Sequence, residues 1–310
     1  MNASRTNCDR QTVSVIIPCY NGAAFLTDAI KSILAQTYRY FEIIFVDDGS
    51  FDNTKNLAIN YPLKYIYQQN SGVVAARNRG ISAASGNLLV FLDADDILLP
   101  NALQIGVDAI CAYPKSGFVA GSYQEINKDG LVIYQADLQP AKVANYQTLL
   151  MGEAFVPPST LMFQKAAIAS AGGFDARYVK GAEDYALYLQ VARQFPIYIH
   201  NQTVVKYRRH DDNASNNALN MLEGCLKALD SNWIFIKGNS DYEQAYKIGK
   251  KHWIELFGPY LIYQVIDCVK SQKWIAAMKA LLFQLNVYPQ GILQYLLKHL
   301  GLKFTLTKKY

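Results

Sequence analysis

Val-Ser-Val-Ile-Ile-Pro-Cys-Tyr-Asn (13–21) is the stretch on which the fold turns. Residues 13–17 are mostly β-branched and apolar without strict alternation, and Pro18 stops the run, which reads as a strand buried on both faces. Working outward, Phe25, Leu26, Ala29, Ile30, Ile33 and Leu34 recur on one face of a helix between residues 22 and 37. A second strand at 43–46 runs into Asp47-Asp48-Gly49-Ser50, where Ser50 or Asp52 suits the cap of a following helix. A third strand at 65–67, a helix capped by Ser71 and reaching Ala84, and a fourth strand at 88–92 complete the first hundred residues. That fourth strand ends in Asp93-Ala94-Asp95-Asp96. Strands buried on both faces, alternating with helices, predict an α/β fold with a mainly parallel sheet flanked by helices. Such sheets bind ligands at the carboxyl ends of their strands. Three polar segments (18–21, 47–50 and 93–96) fall at three of those ends.

The rest of the chain is less regular. A helix is expected to about residue 112, strands at 117–123, 131–134, 160–163, 197–199 and 204–208, and a helix at 183–195. Beyond residue 213 the sequence reads as helical. With 310 residues, 51% apolar and 18% charged, the chain has ample material for a core, and disorder is excluded. The net charge is +5, too weak to indicate a nucleic-acid partner. Its distribution is uneven: from Lys247 onward ten lysines face two acids, a net +8, which leaves −3 for the first 246 residues. Five scattered cysteines show no metal-ligand spacing and no disulfide framework. Residues 1–12 lack the apolar core of a signal peptide, and no run approaches the ~20 apolar residues of a membrane span. A cytoplasmic protein is the expectation, with the inner face of the membrane as an alternative station.

Three carboxylates within four residues repel one another unless a cation or a helix N-terminus offsets their charge. A magnesium or manganese ion with phosphate oxygens suits such a cluster, while a helix cap accounts for one of the acids equally well. The wider set of motifs is more specific. Residues 13–21, Phe-Glu-Ile-Ile-Phe-Val-Asp-Asp-Gly-Ser (41–50), Asn-Ser-Gly with Ala-Ala-Arg-Asn-Arg-Gly (70–80) and Phe-Leu-Asp-Ala-Asp-Asp (91–96) stand in this order. Gly172-Gly173-Phe174-Asp175, Glu183-Asp184-Tyr185 and Tyr207-Arg208-Arg209-His210 follow. This series resembles glycosyltransferase family 2 over about residues 12–215.

The resemblance implies a GT-A fold, Rossmann-like with a mixed, mainly parallel sheet, and a helical C-terminal extension. It implies a transferase domain at 1–215, with a nucleotide-binding half at about 12–100 and an acceptor half at about 101–215, followed by the extension at 216–310. It further implies an inverting, metal-dependent transfer from a nucleotide-diphosphate sugar to an acceptor hydroxyl on a glycan or lipid-linked glycan. Pro18, Tyr20, Asn21, Asp48, Arg77 and Asp93 are then expected on the nucleotide, with Asp48 on the base. Asp95, Asp93 and His210 are expected on Mn²⁺ or Mg²⁺, and Asp184 as general base. Cys19 and Phe51 depart from the family pattern; the first is expected as a buried structural thiol and the second at the rim of the nucleotide pocket. A sugar nucleotidyltransferase would instead carry a glycine-rich loop after the first strand, and a non-catalytic sugar-nucleotide binder would be expected to lack Asp95 or Asp184.

The lysine-rich tail carries Trp253, Phe257, Tyr260, Leu261, Ile275, Met278, Leu281, Leu282, Leu296 and Leu297. Two readings remain for it: peripheral membrane contact through residues 247–310, or packing on the transferase domain or in a homodimer. Gly258-Pro259 and Pro289 are expected to cut it into short helices.

Overall fold

The computed structural model describes residues 11–135, 140–153, 156–178 and 181–299. The chain divides into two compact units. The first runs to residue 213 apart from short pieces at 150–152 and 180–182, and these belong with the chain from Ala214 onward in the second.

The first unit is built on a ten-stranded sheet. Its first half alternates β1 (Val13–Cys19), α1 (Leu26–Leu34), β2 (Phe41–Asp47), α2 (Thr54–Ala58), β3 (Lys64–Tyr67), α3 (Val73–Ala83) and β4 (Leu88–Phe91). Strands β3, β2, β1 and β4 are parallel neighbours in that order, so the ends at Tyr67, Asp47, Cys19 and Phe91 lie along one edge. Every residue of β1 and β4 is buried, as an unbroken apolar run requires of a strand covered on both faces. One face packs Val15 and Ile17 against Ile30 and Ile33 of α1. The opposite face carries a run of aromatic contacts through Phe91, Phe163, Phe118 and Tyr188. Gly80 lets α3 approach β1 closely; a Cβ there would collide with the side chain of Ile16.

The second half adds β5 (Ile97–Leu98), α4 (Ala102–Ala112), β6 (Phe118–Ile126), β7 (Val132–Gln135), β8 (Lys142–Ala144), α5 (Tyr146–Leu150), β9 (Leu161–Gln164), α6 (Lys165–Ala171), α7 (Glu183–Ala192) and β10 (Ile197–Arg208). The sheet order continues β4-β9-β6-β10-β5, with β9 antiparallel to both of its neighbours and β10 parallel to β6. The architecture is thus a mixed α/β sheet whose leading part is parallel. The two strands expected at 197–199 and 204–208 are one strand, β10, whose pairing with β6 shifts register after Ile199. The exposed pair Asn201-Gln202 resembles a turn in sequence but lies within an irregular stretch of this strand. Ser71 does not cap α3; Gly72 takes that position with φ of 86°, and α2 begins without a side-chain cap from Ser50. Cys19 and Cys225 are buried and Cys268 is partly exposed.

The second unit is helical: α8 (Ala218–Ser231), α9 (Trp233–Ile236), α10 (Ser240–Lys270), α11 (Trp274–Val287) and α12 (Gln290–His299). The expected break at Gly258-Pro259 does not occur, since α10 continues through Pro259 for 31 residues. Gly258 admits the ring of Tyr288 against the helix, and Trp253 and Leu261 are buried, so tertiary packing outweighs the local cost of the proline. Tyr288-Pro289 does separate α11 from α12. No helix among the described residues is long and apolar enough to cross a membrane.

Candidate active site

Parallel pairing sets Asp47 opposite Cys19, and the two following turns knit together. Asn21 adopts a left-handed φ of 52°; its N–H donates to Ser50 Oγ (2.9 Å) and its Oδ1 accepts from Phe51 N (3.0 Å). Pro18 is buried inside β1 opposite Val46. Tyr20, just beyond the strand, is half exposed and meets the exposed ring of Phe51 edge-on, with centroids 6.1 Å apart. Cys19 is buried, and that burial pushes its thiol up to about 12, which keeps it an unreactive structural group.

The two acids after β2 are both occupied. Asp47 accepts from Ser50 N (2.8 Å) and from the Tyr65 hydroxyl (2.5 Å). Asp48 accepts from Gln68 Nε2 (2.7 Å), Ser71 N (2.8 Å) and Gly72 N (2.8 Å). The buried Asp48 carboxylate therefore organises the loop that enters α3, with about one of its roughly four acceptor positions left for a ligand.

At the end of β4 the three acids take different surroundings. Asp96 is fully buried, accepting from Ser159 Oγ (2.6 Å) and Arg208 N (3.0 Å), and burial raises its carboxyl well above the ordinary range. Ser159 accepts in turn from the backbone N–H of Asp93 (3.2 Å). Arg208 is buried at the end of β10, where Nε donates to Asp95 O (2.9 Å), Nη1 to Lys128 O (2.8 Å) and Nη2 to Asp28 (2.9 Å). The Arg208 guanidinium also lies over the Phe25 ring, 4.7 Å from its centroid. This lattice holds the backbone from 93 to 96 against the strand that delivers His210. As a result His210 Nε2 stands 2.8 Å from Asp95 Oδ2, with both side chains partly open to solvent.

Arg77 links this edge of the sheet to the start of α7. Its guanidinium, almost fully buried, reaches Asp93 Oδ1 (2.9 Å) through Nη2 and Glu183 Oε1 (2.8 Å) through Nη1. Burial disfavours its charge, but the two carboxylates outweigh that and hold it firmly protonated. Arg77, expected on the nucleotide, is thus placed between two acids. Asp184, which follows Glu183, is largely enclosed with a minor part of its surface open, and accepts from Tyr185 N (2.7 Å). Burial first, then the charge of Glu183, push its carboxyl up to about 7, against the opposing pull of Arg77. A carboxylate poised there is suited to take a proton near neutral pH.

Asp95 and His210 supply one oxygen and one nitrogen donor. Burial and the neighbouring Asp93 charge raise the Asp95 carboxyl, an excess of negative charge that a cation would relieve. Among the described residues no three His, Cys, Asp or Glu side chains form a ready-made cage. Magnesium and manganese sites on substrate phosphates need only one or two protein carboxylates, so this donor set fits such an ion. Ser159 carries no signal in the sequence, and Asp96 is marked there only as the third acid of its cluster. Arg208 is marked only by the motif at 207–210, which suits either a departing diphosphate or a surface edge. The structure instead buries Arg208 as a tie to Asp28 and the Asp95 backbone.

The model of Glycosyl transferase family 2 matches residues 14–170. An uncharacterized glycosyltransferase of Rickettsia prowazekii is 31% identical, over 96% of this chain and 95% of the relative. The chain belongs to glycosyl transferase family 2. Among solved structures it resembles S. aureus TarS residues 1–349 in complex with UDP, with a TM-score of 0.62 at 17% identity, covering 90% of this chain and 81% of that one. The same TarS segment in complex with UDP-GlcNAc gives a TM-score of 0.60 at 16% identity, covering 90% and 92%. Against a longer TarS chain this one spans 42% of its length. These likenesses show the GT-A fold with its helical C-terminal region.

Proposed function

We propose that this family member transfers a sugar from a nucleotide-diphosphate sugar to an acceptor hydroxyl, with inversion at the anomeric carbon, in the assembly of a cell-surface polysaccharide or glycolipid. The observation that carries the chemistry is Asp184: a largely enclosed carboxylate raised to about 7, joined through Glu183 and Arg77 to the acids that end β4. Asp184 accepts the acceptor proton as the oxygen attacks, which a hydroxyl of high pKa requires. With Glu183 and Asp93 both engaged by Arg77, Asp184 acts as a single base on the acceptor, which corresponds to one direct displacement and hence inversion. The turn made by Asn21, Asp48 and Ser50 seats the nucleotide, with Tyr20 and Phe51 offering aromatic surface to the base. Because the fold neighbour was solved with UDP and UDP-GlcNAc, a uridine nucleotide is the first donor class to test. Mn²⁺ or Mg²⁺ would be held by Asp95 and His210 with Asp93 nearby, and would neutralise charge developing on the departing diphosphate. Asp96, Ser159 and Arg208 keep those ligands in place by holding the turn rigid.

The test is donor turnover by the full chain across a panel of nucleotide sugars, with Mn²⁺ and with EDTA. Turnover of one donor that EDTA abolishes and Asp95→Asn removes is the expected result. Near-normal turnover by Asp95→Asn in EDTA contradicts the metal assignment, and no turnover of any donor with metal present contradicts the transferase reading.

A further inference from the structure

Helix α11 is built inside out. Its buried side chains are Ala277, Ala280 and Gln284, while most of its large apolar ones are exposed. Trp274, Ile275, Met278, Leu282 and Leu285 are all exposed, Ile275 by 82% and Trp274 by 64%. Their spacing (0, 1, 4, 8 and 11) places them within one stripe of an α-helix, so they form a continuous face. Scattered exposed apolar residues are ordinary, whereas a contiguous face of this size marks a surface that meets something apolar.

The charge around the face selects the occupant. No acid occurs between residues 268 and 299, and Lys270, Lys273 and Lys279 are all exposed. Lys270 and Lys273 stand just before the helix and Lys279 on it; Lys279 lies 3.6 Å from Glu223 of α8 and is still largely exposed. A second copy would set this lysine-flanked patch against itself, since an isologous contact joins the same surface of both subunits, and like charges there repel. An anionic lipid surface matches both features, taking the apolar stripe into the acyl boundary while the lysines reach the headgroups.

We infer that the outward face of α11 docks on anionic membrane, lying in the interface without spanning it. This narrows the contact to one helix and one face, and it stands independently of the transfer chemistry proposed above.

The experiment is co-sedimentation of the full chain with vesicles of phosphatidylcholine alone and of equal parts phosphatidylcholine and phosphatidylglycerol. It is repeated with the double variant Ile275→Glu/Leu282→Glu, whose sites are exposed, so the fold is preserved as checked by circular dichroism. Binding is expected to be at least about tenfold stronger to the anionic vesicles, to weaken as salt is raised, and to fall about tenfold or more in the variant. Absence of binding, equal binding to both vesicle types, or a folded variant that binds like the parent overturns the inference. Light scattering supplies the remaining outcome: a dimer that the variant converts to monomer gives the face to a second copy and likewise overturns it.

Discussion

Asp184 has its ionisation set by neighbours rather than by direct partners alone. Burial and Glu183 raise it to about 7, and Arg77 holds it from rising further. A base must be deprotonated to act, so activity is lost as pH falls through that value. The log of kcat/KM for transfer should therefore drop with unit slope below about pH 7, a limb that reports the free enzyme. Arg77→Gln removes a cation that lowers the Asp184 pKa, so the limb should move to higher pH. Arg77→Lys keeps the charge and should move it less. Because Arg77 is buried between Asp93 and Glu183, the Gln variant should also lose about 3–5 kcal/mol of stability, readable by denaturant unfolding. A limb that stays in place in Arg77→Gln would make Arg77 a purely structural tie.

At the scale of elements, close approach and buried polarity give two predictions. Gly80 brings α3 onto β1, so Gly80→Ala forces a methyl into Ile16 and should cost about 1–3 kcal/mol, lowering the unfolding midpoint. Gln284 is fully buried on α11, and neither side-chain polar atom has a hydrogen-bond partner among the described residues. Gln284→Met keeps the volume, removes that desolvated amide and should stabilise by about 1 kcal/mol, seen as a raised Tm. An unchanged or lowered Tm would mean that the amide contributes more than its burial costs. The elements also show where sequence reading succeeds. Strands β1, β2 and β4 were legible because each is apolar and ends at a polar turn. The continuity of α10 through Pro259 was not, because it depends on Tyr288 packing at Gly258, some thirty residues away.

For the molecule as a whole, the sequence carries the frame and the acids more readily than the ties between them. The order of polar turns at strand ends pointed to one edge of a sheet, and parallel pairing of β1, β2 and β4 places them there. The tie of Arg77 to Glu183, and those of Arg208 to Asp28 and to the Asp93–Asp96 turn, arise only when residues more than a hundred positions apart meet. The outward face of α11 was equally hidden, since composition shows apolar residues and lysines but not which way they point. The central claim is that Asp184 takes the acceptor proton while the rest of the site holds the donor. It is tested by comparing kcat and donor affinity of Asp184→Asn with those of the parent chain, on the donor identified with Mn²⁺ present. A kcat lower by about 10² or more with donor Kd unchanged is the predicted result. A variant that keeps its kcat but loses donor affinity would contradict it.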